Sequence, residues 1–136
     1  MRKILSLAFL IAVAIGLAAD IPVVQPKELA SHLAEKPAVF HVGFNVLYRN
    51  SKHIPGAVYA GPGRQPEGLE TLKAAVEKLP RDREIVIYCG CCPWDHCPNI
   101  RPAMAMLQQL GFHNVKALYL AENFKVNWID AGYPVE

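Results

Sequence analysis

Charge is scarce in this 136-residue chain: Asp, Glu, Lys and Arg make up 19%, against 52% hydrophobic residues. That balance excludes an intrinsically disordered chain, which would be charge-rich and apolar-poor. Eleven Pro and nine Gly fall far short of a collagen-like or linker composition. Four Cys are too few for a disulfide scaffold of this size. There is no internal repeat, no linker and no long basic stripe, which argues against nucleic acid as a partner. The length suits one domain, since domains commonly run to about 100–150 residues.

The one long hydrophobic run, Ile4 to Ala19, is interrupted only by Ser6 and Gly16. It is shorter than the ~20 residues of a spanning helix. Following the basic Met1-Arg2-Lys3, and ending in small residues, it reads as a secretory signal over residues 1–19, leaving a mature domain of 20–136. Cleavage after Ala18 puts Gly16 at the −3 position, and cleavage after Ala19 puts Leu17 there. An uncleaved anchor is the alternative; no Cys lies nearby for lipid attachment. Fourteen Lys and Arg, less Arg2 and Lys3, leave 12 against 12 Asp and Glu, so the mature domain is formally neutral. The expected location is periplasmic or secreted, with no membrane association after cleavage. There, exposed thiols pair unless something keeps them reduced.

Strands and helices alternate along the mature chain. Asp20 to Pro26 is an extended lead-in, and Lys27 to Ala34 a short helix burying Leu29, Ala30 and Leu33. Ala38 to Phe44 reads as a strand, Ile54-Pro55-Gly56 as a turn, and Val58-Tyr59 as a brief strand. Leu69, Leu72, Val76 and Leu79 recur at helical spacing within Pro66–Leu79. Ile85-Val86-Ile87-Tyr88 is the strongest strand signal, a short apolar run suited to a central parallel strand. A helix from Asn99 or Ile100 to Leu110 ends at Gly111; a strand over Val115–Leu120 and a helix over Phe124–Ala131 follow. This alternation predicts an α/β parallel sheet.

All four Cys fall within one loop, Cys89-Gly90-Cys91-Cys92-Pro93-Trp94-Asp95-His96-Cys97. Cys89 closes the central strand and the chain then enters a helix. Open parallel sheets bind ligands at the carboxyl ends of their strands, and a helix N-terminus there offers amide donors and partial positive charge. A thiol so placed is expected to have its thiolate stabilised and to act as a nucleophile.

Four stretches carry a resemblance: His53-Ile54-Pro55-Gly56-Ala57, Ile85 to Cys89, Leu107 to Phe112 with Asn114-Val115, and Trp128 with Gly132-Tyr133-Pro134-Val135. In their order and spacing the chain, from about Val24 to Glu136, resembles the rhodanese-like domains. The resemblance implies a three-layer α/β/α fold around a mostly parallel five-stranded sheet. It implies a sulfurtransferase in which Cys89 accepts a sulfane sulfur as a persulfide and passes it to cyanide or a thiol. Loop amides would stabilise the bound anion and the persulfide. The implied partners are a sulfur donor and a thiol acceptor, small molecule or protein, with no cofactor.

The chain departs from the family pattern in two places. The family's loop is shorter and is closed by an Arg; counting back from Gly111-Phe112 puts the closing position near Asn99, and Arg101 is the nearest guanidinium. The family's Asp-x-Arg after the second strand is here His41-Val42-Gly43. Both weaken a cationic cradle for thiosulfate and point to a specialised donor or acceptor.

Other roles for these residues stay open. Cys89 is a nucleophile or a buried inert thiol. Cys91 and Cys92 are adjacent, so a disulfide of either with Cys97 closes more easily than one between them. Such a pair, with Cys89 or Cys92 attacking and Cys97 resolving, would make a thiol–disulfide redox protein. Cys91, Cys92, His96 and Cys97 offer three sulfurs and one imidazole to zinc or another thiophilic metal, giving a non-enzymatic binding or interaction module on the same fold. His96 is otherwise solvated or a general acid/base. Arg101 binds an anion or pairs with a carboxylate, and Trp94 shields a persulfide or simply packs. His41 reads as a satisfied core histidine, His53 as structural, Trp128 as core, and Tyr48-Arg49 with Lys52 as an exposed segment.

Overall fold

The structure, a computed structural model, describes residues 20–136; the expected signal segment, residues 1–19, lies outside them. Five strands form one sheet: β1 Val23–Val24, β2 Ala38–His41, β3 Val58–Tyr59, β4 Ile85–Tyr88 and β5 Val115–Leu118. Their order is β1-β5-β4-β2-β3, and every pairing is parallel. The helices are α1 Pro26–His32, α2 Asn45–Asn50, α3 Pro66–Val76 and α4 Ile100–Gln109, with a π-helical turn over Lys125–Ile129.

The period-two alternation of β4 divides the core between the two faces of the sheet. Ile85, Ile87 and then Cys89 point to one face, where α3 and α4 contribute Leu72, Val76, Ala103, Met104 and Leu107. Val86 and Tyr88 point to the other, against Leu29 of α1, Ile54, Phe124 and Trp128. All four β4 residues are buried because the strand is covered on both sides. Each such aliphatic side chain contributes about 1.5–3 kcal/mol by leaving water. Trp128 is fully buried and its indole N–H donates to the Pro134 carbonyl at 2.8 Å.

Several sequence expectations are adjusted. The Pro66–Leu79 helix stops at Val76, the Val115–Leu120 strand at Leu118, and Phe124–Ala131 is helical only as the π turn. The segment holding Tyr48 and Arg49 is helix α2 and is not simply solvated. Tyr48 stacks on His53 at 4.4 Å between ring centroids, and its hydroxyl donates to the Ala57 carbonyl at 2.9 Å. The backbone of His53 exchanges two hydrogen bonds with that of Glu136 at 3.1 and 3.0 Å, while its buried Nδ1 makes no hydrogen bond. Among the described residues no helix is long and apolar enough to cross a membrane.

Candidate active site

Cys89 stands at the carboxyl end of β4, on the face covered by α4, and is 4% exposed. After it the chain runs through Gly90, Cys91 and Cys92 into a 3-10 turn at Trp94–His96, then reaches Asn99, the residue that opens α4. Two backbone hydrogen bonds fold the turn, His96 N–H to Pro93 and Cys97 N–H to Trp94, at 2.9 and 3.4 Å. Trp94 pins the loop by packing on Tyr119, ring centroids 5.3 Å apart, and on the core beneath α4. The enlarged loop is therefore anchored at its middle as well as at its ends.

The four cysteines are thiols, gathered around Cys89. Cys91 Sγ lies 3.3 Å from Cys89 Sγ and 2.6 Å from Cys92 Sγ. The sulfurs of Cys89, Cys91 and Cys92 all lie within 4.8 Å of one another. The Cys97 sulfur falls outside that group of three. Asn99, fully buried, donates from Nδ2 to Cys89 Sγ at 3.4 Å, while its Oδ1 accepts the Arg64 N–H at 3.0 Å.

The electrostatics differ from the expectation of a thiolate stabilised by the helix. The Cys89 thiol is pushed up, first because it donates a hydrogen bond to Cys91, a bond lost on ionisation, and also because it is buried. Opposing this are hydrogen bonds from the Cys97 thiol, the Cys91 N–H and the Asn99 amide. The first amides of the helix region, those of Asn99 and Ile100, are directed at Cys97 instead. The Cys97 thiol is pushed up as well, chiefly by the hydrogen bond it donates to Cys89. Burial, first of all, raises the Cys92 thiol as well.

Of the residues singled out from sequence, Cys89, Cys91 and Cys92 come together, Cys97 lies in the same loop outside that group, and Trp94 packs the loop onto the core. His96 is exposed on the 3-10 turn, and the convergent sulfur set is Cys89, Cys91 and Cys92, leaving both His96 and Cys97 out of the expected Cys91, Cys92, His96 and Cys97. Arg101 is exposed on α4 and, among the described residues, makes no ion pair or hydrogen bond to the loop. The turn of α4 carries it past the site that the buried Asn99 occupies.

Sequence reasoning named Asn99 only as the loop-closing position, and His41 and Gly43 only as departures from the family's Asp-x-Arg, with no role for any of them at the site. The closing position of the loop, found by counting, was the available signal for Asn99. His41 is 3% exposed and surrounded by the rings of Tyr48, Tyr59 and Tyr88; desolvation lowers its imidazole to about 4. Its Nδ1 accepts the Gly43 N–H at 3.3 Å. A Cβ on Gly43 would lie 2.9 Å from His41 Cε1 and 3.0 Å from Cys89 Sγ, so no side chain fits where the family pattern carries Arg. Beside the loop, His41, Tyr48, Lys52, Gly90, Cys91 and Phe124 line a cleft of about 260 Å³. Cys91 is the cysteine that borders it.

The family model for the rhodanese-like domain matches residues 25–120. No curated protein matches the sequence. Among solved structures, Alr3790 from Anabaena sp. is 22% identical, with 83% of this chain and 90% of that one aligned and a TM-score of 0.59. RPA3614 from Rhodopseudomonas palustris CGA009, described as a possible tyrosine phosphatase, is 16% identical over 85% of each chain, with a TM-score of 0.58. SseA from Escherichia coli, described with the 3-mercaptopyruvate sulfotransferases and the rhodanese fold, is 20% identical, covering 86% of this chain and 52% of its own, with a TM-score of 0.56. These likenesses concern the fold. With an all-parallel five-stranded sheet, a cysteine loop at the end of its central strand and a family match over most of its length, the chain belongs to the rhodanese-like domain family.

Proposed function

We propose that this protein is an exported sulfurtransferase that carries sulfane sulfur as a persulfide on Cys89. The observation that carries the reading is the position of Cys89 Sγ at the end of the central strand, with the Cys91 N–H and Asn99 Nδ2 both directed at it. Family membership supports sulfur transfer as the class of chemistry. Export draws on the basic start and apolar run of residues 1–19.

In the first half-reaction the Cys89 thiolate attacks the sulfane sulfur of the donor. A sulfur–sulfur bond forms on Cys89 and the donor's leaving group departs with the electron pair of the broken bond. In the second, an acceptor thiolate attacks the outer sulfur and Cys89 leaves as thiolate. The Cys97 thiol donates to Cys89 in its ionised form, and the Asn99 amide and Cys91 N–H do the same for the persulfide. These donors are all neutral. The site therefore suits a singly charged persulfide donor better than the doubly charged thiosulfate, which needs a guanidinium cradle. Lys52 at the rim of the cleft is a cation available to steer an anionic donor toward the loop.

Sulfur transfer from a thiol persulfide, compared between Cys89→Ser and Cys97→Ser, tests the assignment. The reading expects loss of transfer in the first variant and partial retention in the second; full activity in Cys89→Ser defeats it. Thiol–disulfide exchange is the second reading, favoured by the 3.3 Å separation of Cys89 and Cys91 sulfurs. It expects the turned-over protein to lose two hydrogens in mass, where the persulfide reading expects a gain of one sulfur atom.

A further inference from the structure

The imidazole of His41 is 3% exposed and held by T-shaped contacts with Tyr88 and Tyr48, ring centroids 4.9 and 5.5 Å away. The backbone sets its tautomer. The Gly43 N–H can only donate, and it is directed at Nδ1 at 3.3 Å, so Nδ1 is the bare nitrogen and Nε2 carries the hydrogen. Burial lowers the imidazole to about 4, so near neutral pH the ring is uncharged and Nε2–H is a neutral donor. Among the described residues no protein group accepts from it. Nor is it sealed in: the one enclosed side-chain nitrogen or oxygen there without a partner is His53 Nδ1. His41 Nε2 faces Gly90 at the cleft, 3.7 Å from where a Cβ on that residue would lie. A buried ring that keeps one hydrogen unspent over a cleft points to a ligand that takes it.

The same ring edge reaches toward the reacting sulfur. His41 Cε1 and Cys89 Sγ flank a single methyl-sized position at Gly43, 2.9 and 3.0 Å from its centre. Cε1 is bonded to Nε2, so a molecule that meets Cys89 along this edge lies against the Nε2–H. Cys91, on the cleft wall, is 3.3 Å from Cys89 Sγ, which places Cys89 one sulfur contact behind that wall. Tyr48 and Phe124 give the cleft apolar sides. Its volume of about 260 Å³ falls short of the ~300 Å³ at which drug-sized pockets begin, and so suits an amino-acid-sized thiol compound.

We propose that this cleft binds the sulfur donor, a small alkyl persulfide, and that His41 Nε2–H is the hydrogen-bond donor to its departing thiolate. The proposal rests on the persulfide reading above. The Cys89 thiolate bonds to the terminal sulfur, the donor's own sulfur–sulfur bond breaks, and the alkyl thiolate leaves with the electron pair. Sulfur–sulfur bonds are about 2.05 Å long, so the leaving sulfur stands one bond farther from Cys89, on the cleft side. His41 shares its hydrogen without giving it up, and the thiolate takes a proton from water on release. A preorganised donor aimed where charge develops lowers the barrier to the attack. The gain is largest for weakly acidic alkyl thiols, which leave slowly unaided, and small for acidic aryl thiols.

The test is single-turnover loading of the reduced protein with an alkyl and an aryl hydropersulfide, followed by intact mass. His41→Phe should slow alkyl loading by about tenfold to a hundredfold and aryl loading by less than about threefold. His41→Gln, which returns an N–H donor, should recover most of the alkyl rate. Gly90→Ala keeps the imidazole but sets a methyl 3.7 Å from Nε2 and 3.3 Å from Phe124 Cβ, so it should show the same selective loss. Equal slowing of both donors, or none, overturns the role of His41 and leaves the Cys89 persulfide standing. Nitrogen NMR of the wild-type protein should show a neutral His41 protonated on Nε2; protonation on Nδ1 overturns the proposal without any variant. No loading of the wild-type protein from either donor, or equal loading of Cys89→Ser, removes the persulfide reading and the role of His41 with it.

Discussion

The side chain of Asn99 bridges the two ends of the cysteine loop, donating to Cys89 Sγ at 3.4 Å while accepting the Arg64 N–H at 3.0 Å. A neutral amide thus occupies the loop-closing position, and the sulfur it touches is deprived of a full positive charge. Asn99→Ala removes both partners from a fully buried site. It should destabilise the protein by about 1–3 kcal/mol, the usual consequence of orphaning a buried polar group. Because Asn99 helps to lower the Cys89 thiol, the variant should also move it further up. Thermal melting and the pH profile of iodoacetamide labelling at Cys89 measure the two effects.

Gly43 is required by space. A methyl group there would press on the His41 ring and on Cys89 Sγ at 2.9 and 3.0 Å. Gly43→Ala should lower stability by about 1–3 kcal/mol, as overpacking generally does, and should slow sulfur loading by displacing Cys89. Gly43→Arg, which restores the family's residue, should fail to create thiosulfate activity. A steady-state thiosulfate assay on the folded fraction checks this.

The ionisation of Cys89 sets a pH dependence. Its thiol is raised, first by the bond it donates to Cys91, so only a small fraction is thiolate near neutral pH. Sulfur loading should therefore climb by about tenfold per pH unit through neutrality and continue past the ordinary thiol value of about 8.5. Cys91→Ala removes the main raising cause and should shift the profile to lower pH. Single-turnover loading rates across pH measure both.

His41 sets a second dependence, of stability. Burial lowers its imidazole from 6.5 to about 4, so the folded state takes up its proton less readily than the unfolded state. The stabilisation is fully present above the unfolded value and is lost as the pH falls through about 4. The gap is worth about 3 kcal/mol. Denaturant melts from pH 7 down to pH 4 should show the decline, and His41→Gln should flatten it.

The fold was legible where the pattern in the sequence was forced by burial. Ile85-Val86-Ile87-Tyr88 has no polar residue because both faces of β4 are covered, and Pro26 announces α1 by sitting at its first position. Helix α2 was not legible: six residues of Asn-Val-Leu-Tyr-Arg-Asn are too short to show a helical period, and none of them is buried. At the site, the strand-end position and the family resemblance pointed to Cys89, and clustering to Cys91, Cys92 and Cys97. The partition of donors was hidden, because the position of Cys97 before α4 depends on how the enlarged loop folds around Trp94. Likewise Gly43 looked like a missing Arg, and only the approach of β2 to Cys89 reveals that the space is filled.

The most direct measurement is the intact mass of the reduced, metal-free protein after exposure to a thiol persulfide, taken alongside Cys89→Ser. The account predicts a gain of one sulfur atom that maps to Cys89 in the native chain and is absent from the variant. The same gain in Cys89→Ser, or none in the native protein, would contradict it.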